Sequence, residues 1–126
     1  MENLTVLVVD DEEELAFALA ERLKLRGIDA EACTTSEQAL RRIEDSVYDV
    51  AILDVKMPGM GGVCLMNRIR EKRPSLQVIL FSGHGSEQER EEGLGGGAFD
   101  YLVKPFDIEE LVQTILTASG GSRKSS

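Results

Sequence analysis

The sequence predicts one α/β domain, a doubly wound parallel sheet of five strands with helices on both faces. Two observations lead there. Five short apolar runs, at residues 4–9, 28–33, 50–53, 78–81 and 99–103, are separated by segments with helical spacing. Strict alternation of strand and helix calls for parallel strands joined by right-handed crossovers. The runs also differ in kind. The first, third and fourth are almost continuously apolar, as strands covered on both faces are. The second alternates more and suits an edge.

The first helix has the clearest pattern. Leu15, Leu19 and Leu23 recur at i, i+4 and i+8, with Ala16 and Ala20 beside them. Asp11 followed by Glu14 reads as a capping box, and Gly27 as the stop. A second helix fits Ser36–Asp45, with Ser36 as cap and a stripe of Ala39, Leu40 and Ile43. A third fits Gly62–Lys72, with Val63, Met66 and Ile69 at helical spacing and Pro74 beyond its end. The fourth, over residues 86–94, is weak. It is polar and acidic, and Gly93, Gly95, Gly96 and Gly97 sit at its end, each costing about 1 kcal/mol in a helix interior. It is expected to be short or mobile. A fifth fits residues 108–118, with Asp107 as cap and Leu111 and Ile115 facing inward. Residues 1–119 therefore form the domain, and the Gly-, Ser- and Lys/Arg-containing residues 120–126 read as a flexible tail or severed linker.

At 126 residues the chain has the size of one domain able to bury a core without disulfides. Its 42% apolar and 29% charged residues are those of a globular protein. No apolar run is long enough to span a bilayer, and an acidic Glu2 with no basic region before the first apolar stretch excludes a secretory signal. Cys33 and Cys64 have no metal-ligand spacing and read as reduced, partly buried thiols, so the expected compartment is cytoplasmic. The net charge of −9 argues against direct binding to nucleic acid or an anionic membrane.

Open parallel sheets bind ligands at the carboxyl ends of their strands. There the sequence places Asp10 and Asp11 after the first strand, Asp54 after the third, Ser82 and Gly83 after the fourth, and Lys104 and Pro105 after the fifth. Singly, each has a plainer reading. Asp11 suits a helix cap, Asp10 a loop acid, Asp54 a turn, Ser82 a satisfied hydroxyl and Lys104 a solvated surface group. All five at one edge of one sheet is an unusual coincidence. Three carboxylates crowded there repel one another, and a hard divalent cation relieves them. Magnesium takes one or two carboxylates, waters and a phosphate oxygen. Lys104 adds a positive charge for phosphoryl oxygens, Ser82 a donor, and Gly83 room for a bulky group.

These residues lie in the stretches VVDDE (8–12), ILDVKMPGMGG (52–62), LFSG (80–83) and DYLVKPF (100–106). As a set they resemble the response regulator receiver domain family of two-component signalling, over residues 4–118. The resemblance implies a flavodoxin-like fold with strand order 2-1-3-4-5. It implies that Asp54 accepts a phosphoryl group from the phosphohistidine of a histidine kinase or histidine phosphotransfer protein. Asp10, Asp11, Asp54 and the Lys56 backbone carbonyl would hold Mg²⁺ or Mn²⁺. Ser82 and Lys104 would bind the phosphoryl oxygens, and Tyr101 would be the switch aromatic. The Lys104–Pro105 peptide would be cis, a geometry open mainly to proline.

By the same resemblance the domain is not a conventional enzyme, though it would catalyse its own phosphotransfer and autodephosphorylation. It would signal to an unknown output partner through the fourth helix, fifth strand and fifth helix. Lys56 and His84 occupy positions that tune dephosphorylation in this family. Lys56 is expected to fold over the site, pair with the phosphoryl group and slow hydrolysis. His84, the one histidine, cannot make a metal site by itself. Residues 108–118 contain no lysine or arginine and the fourth helix is mostly acidic, so a dimer held by opposite charges across that face is not expected. Two other readings stand beside this one. A phosphatase with an aspartate nucleophile would carry a second aspartate two residues later, where this chain has Lys56. An interaction module that is never phosphorylated would have no use for the complete set Asp10, Asp11, Asp54, Ser82 and Lys104.

Overall fold

The computed structural model describes residues 4–83 and 87–124, with side chains through Gly120. The elements run β1 Thr5–Val9, α1 Glu13–Lys24, β2 Asp29–Cys33, α2 Ser36–Asp45, β3 Val50–Asp54, α3 Gly62–Lys72, β4 Gln77–Ser82, α4 Glu87–Gly95, β5 Asp100–Val103 and α5 Ile108–Lys124. The strands form one parallel sheet in the order β2-β1-β3-β4-β5. The three near-continuous apolar runs are the three central strands, and the alternating β2 is an edge.

Side chains alternate across each strand and build two cores. Leu7, Val9, Ala51, Leu53, Val78, Leu80 and Tyr101 face α2 and α3, meeting Ala39, Ile43, Leu65, Met66 and Ile69. Val6, Val8, Val50, Ile52, Ile79, Phe81 and Leu102 face α1 and α5, meeting Leu19, Leu23, Leu111 and Ile115. Among the described residues no helix is long and apolar enough to cross a membrane.

Several local expectations are corrected. The N-cap of α1 is Glu12, which makes no side-chain cap bond; its amide instead donates to Asp10 Oδ1 at 3.0 Å. Asp11 is thus not consumed as a cap. Leu15 stays 40% exposed, because Ala16, Leu19, Ala20 and Leu23 complete the inward stripe. Gly27 does close the helix, with φ of 83° in the left-handed region. The cap of α2 is Thr35, whose hydroxyl accepts from the Gln38 amide at 3.1 Å. The neighbouring Ser36 is buried and donates to the Met60 carbonyl at 3.1 Å, pinning the loop after β3. Asp107 supports α5 through the Glu109 amide at 3.2 Å. That helix continues past residue 118 to Lys124. Ala118 and Ser119 are still buried, and Ser119 donates to the Ile115 carbonyl at 3.0 Å. Cys33 is buried as expected, whereas Cys64 is exposed.

Candidate functional site at the carboxyl end of the sheet

The parallel register sets the site. Val9 pairs with Leu53 and Asp54 with Phe81, so β1, β3 and β4 end nearly level. Asp10 leaves β1 fully buried, its amide bonded to the Cys33 carbonyl at 3.1 Å. Asp54, the last residue of β3, exposes 6% of its surface. Asp11 is exposed beside them, and carboxylate oxygens of all three lie within 4.8 Å of one another. The Lys56 amide donates to Asp54 Oδ1 at 3.4 Å.

Lys104 crosses from the end of β5 into this cluster. Its Nζ lies 3.1 Å from Asp10 Oδ2, 3.9 Å from Glu12 Oε1 and 4.0 Å from Asp54 Oδ2. It also sits 4.7 Å above the Phe81 ring, which Phe106 meets edge-on at 5.7 Å. The Lys104–Pro105 peptide is cis, and the Lys104 amide donates to the Ser82 carbonyl at 2.7 Å, tying the ends of β4 and β5. Ser82 is buried at the same edge. His84 and Ser86 lie outside the described residues.

The electrostatics follow from crowding. The Asp54 carboxyl is pushed up to about 6, first by burial and then by the Asp10 carboxylate; Lys104 and the Lys56 amide pull it the other way. One lysine does not offset three acids so close together. A donor set made only of carboxylate oxygens, two of its three residues buried, suits a hard divalent cation, and the group Asp10, Asp11 and Asp54 can hold one.

Glycine controls access. A Cβ at Gly62 would fall on the Asp54 carbonyl oxygen and 2.8 Å from Val55 Cα, so the first turn of α3 is pressed against the backbone of the acidic strand end. Gly62 N donates to the Val55 carbonyl at 2.8 Å, and Gly59 turns the loop with φ of 75°. Beside the pocket, Leu15, Ala18 and Leu19 of α1 and Phe81, Pro105 and Phe106 line a groove of about 560 Å³.

Tyr101 is buried on β5. Burial pushes its phenol up, and the Glu89 carboxylate adds to this while Ser82 opposes it. Its hydroxyl donates to Glu89 Oε1 at 3.1 Å. Lys56 Nζ pairs with Glu89 Oε2 at 3.4 Å. Glu89, on α4, was not singled out by sequence reasoning. Nothing distinguishes it there from Glu87, Glu91 and Glu92.

Sheet order and site together define a doubly wound domain with an acidic, lysine-flanked pocket at the switch point of its sheet. The model of the response regulator receiver domain matches residues 6–116. The chain is 36% identical over 121 residues to the two-component response regulator PhoP of Pseudomonas aeruginosa, covering 94% of this chain and 54% of that protein. It is 36% identical over 118 residues to the DNA-binding transcriptional regulator NtrC of Escherichia coli, covering 91% of this chain and 24% of that protein. It thus spans about half of one curated relative and a quarter of the other. The receiver domain of the Francisella response regulator 1452 superposes with a TM-score of 0.88 at 32% identity, covering 95% of this chain and 99% of that one. The chain belongs to the response regulator receiver domain family of two-component signalling, and its fold is the flavodoxin-like one.

Proposed function

We propose that Asp54 is the acceptor of a phosphoryl group and that the domain signals by the change in charge and packing that follows. The observation carrying this reading is the convergence of Asp10, Asp11, Asp54 and Lys104 at one sheet edge. One carboxylate, Asp54, ends its strand there facing a lysine 4.0 Å away. Phosphoryl transfer asks for positioning and charge neutralisation more than for covalent work by the protein. An Asp54 oxygen attacks the phosphorus of a phosphohistidine, a P–O bond forms, and the P–N bond breaks. The departing imidazole nitrogen keeps the electron pair and takes a proton. Lys104 neutralises a phosphoryl oxygen, and the Ser82 hydroxyl donates to another. Gly62 lets the first turn of α3 pack directly on the backbone that carries the acceptor.

Asp10, Asp11, Asp54 and the Lys56 carbonyl would hold Mg²⁺, which would supply charge neutralisation of the phosphoryl oxygens. In a separate step water attacks the same phosphorus, the bond from phosphorus to the Asp54 oxygen breaks, inorganic phosphate leaves and Asp54 returns to its carboxylate, so the domain limits its own signal. A histidine kinase or histidine phosphotransfer protein is the donor, and the groove along α1 is a seat beside the acceptor for such a partner. Ser82 and Tyr101 carry the change to the surface formed by α4, β5 and α5, where Phe99, Val103 and Leu116 are exposed. The more mobile α4 expected from its glycines is the element that responds. The output partner meets this face. Cytoplasmic residence agrees with the donor chemistry.

Intact mass after incubation with Mg²⁺ and acetyl phosphate tests the reading. The expected result is a gain of one phosphoryl group, absent in Asp54→Asn and absent without the cation. Failure with acetyl phosphate and with phosphorylated histidine kinases alike would leave the unphosphorylated interaction module.

A further inference from the structure

The carboxylate of Glu89 joins two groups that lie on different sides of the proposed chemistry. One oxygen pairs with Lys56 Nζ at 3.4 Å, and the other accepts from the Tyr101 hydroxyl at 3.1 Å. Lys56 belongs to the loop leaving the acceptor, its own amide 3.4 Å from Asp54 Oδ1. Tyr101 is buried on β5, under α4. Glu89 sits in the first turn of α4, a helix whose one buried residue is Gly93. A single acidic side chain therefore connects the acceptor loop, the buried aromatic and the helix that is least fastened to the core.

We propose that Glu89 is a positioning residue for Lys56: it holds the lysine ammonium away from Asp54 until a phosphoryl group draws it over, and in doing so it sets the phosphoryl lifetime. This rests on Asp54 being the acceptor. The physical case is a competition between anions for one cation. A lysine ammonium is a point charge on a flexible four-carbon stem, so it can exchange partners without moving the backbone. Its present partner carries one negative charge, whereas a phosphorylated side chain carries about −1.5 to −2 at neutral pH. The Lys56 backbone is fixed beside the acceptor by the Ser36 anchor on the Met60 carbonyl and by the close packing of Gly62. The stem therefore starts within reach of either anion.

With Lys56 on the phosphoryl group, an attacking water meets a shielded phosphorus and hydrolysis slows. With Lys56 on Glu89, the phosphorus is open. The same exchange frees one oxygen of Glu89, which leaves α4 with one tether fewer to the acceptor loop. Lys56 is more than half exposed, so its pair with Glu89 is a modest one and the exchange is readily reversed.

The test is a double-mutant cycle on the rate of phosphoryl loss. Wild type, Glu89→Gln, Lys56→Ala and the double variant are phosphorylated with acetyl phosphate and Mg²⁺, freed of donor, and followed by intact mass. Glutamine keeps the shape of the side chain and an oxygen for Tyr101 and removes the charge facing Lys56. The expected result is a slower loss in Glu89→Gln, by about two- to fivefold, the range an exposed pair supports. Lys56→Ala should lose phosphate faster than wild type, and Glu89→Gln should add nothing in the Lys56→Ala background. A merely structural role for Glu89 would shift the rate equally in both backgrounds, and that outcome overturns the proposal. So does an unchanged rate in Glu89→Gln. No phosphoryl uptake by wild type, from acetyl phosphate and from phosphorylated histidine kinases alike, would instead remove the acceptor role of Asp54, and this proposal with it.

Discussion

Helices α3 and α4 cover the same face of the sheet, yet α3 buries Leu65, Met66 and Ile69 there while α4 buries only Gly93. Each fully buried aliphatic side chain contributes about 1.5–3 kcal/mol relative to exposure. On that scale α3 is fastened by several such contributions and α4 by almost none. Among the described residues α4 is held by contacts that are mostly polar, including Glu89 to Tyr101 and Lys56 and Arg90 to the Tyr101 carbonyl at 3.4 Å, with the half-buried Leu94 beside them. Low local stability belongs to elements that must move, and high stability to those that must hold a site still. The division falls where the proposed chemistry needs it. The element just after the acceptor is fixed, and the element that would respond is loosely moored.

The comparison breaks most visibly under truncation. Ile69→Ala should cost about 2–5 kcal/mol in urea unfolding, the range for a buried aliphatic reduced to a methyl. Leu94→Ala should cost less than about 1 kcal/mol, since its side chain is only partly covered. Equal losses would mean that α4 is as much a part of the cooperative core as α3.

A finer contrast lies in the two glycines. Gly62→Ala should destabilise by about 1–3 kcal/mol, because the added methyl meets backbone that cannot step aside. Gly93→Ala meets Leu80 Cδ1 at 2.6 Å, the far end of a side chain that can rotate. Its steric cost is offset by about 1 kcal/mol of gained helix propensity. A near-neutral result in thermal unfolding is expected there. A loss as large as that at Gly62 would show α4 to be seated more firmly than its side chains suggest.

A third test concerns the acidic pocket. The Asp54 carboxyl is raised from 3.8 to about 6 in the folded protein, so the folded state holds a proton that the unfolded chain has released. Between those two values stability from this group rises as pH falls, and above about 6 the full penalty is present. Asp54→Asn should therefore stabilise the cation-free protein near neutral pH, on the order of 1–2 kcal/mol. That advantage should shrink as pH is lowered toward about 4. Excess Mg²⁺ should narrow it as well, by stabilising the wild type. An advantage independent of pH would assign the gain to something other than carboxylate crowding.

The sheet and its acids were legible in the sequence for one reason. A strand buried on both faces must be apolar throughout, so the first charged residue after it marks its end. Asp10, Asp54 and Lys104 were found in that way. Caps were less legible. Thr35 and Ser36 are adjacent hydroxyls with the same capacity to cap, and only the position of the Met60 carbonyl decides which does. Leu15 fits the helical stripe by spacing but lies over the groove rather than the sheet. The end of α5 was obscured by Gly120, whose poor helix propensity is outweighed by the burial of Ala118 and Ser119 just before it. Glu89 could not be found from sequence at all, because its partners come from two other elements and its own helix offers several equivalent acids.

The seat of Gly93 on Leu80 has a consequence for timing. A helix that inserts no fully buried side chain into the sheet, only the half-buried Leu94, leaves little of a hole behind when it shifts, so it travels over a smooth bearing more than it climbs out of a socket. Motions of packed elements of this kind run in microseconds to milliseconds. The proposed acyl phosphate on Asp54 would act as a bias on those excursions for as long as it lasts. Partners at the α4 surface would then sense a running average of occupancy, graded like a dimmer, in place of a single irreversible flip.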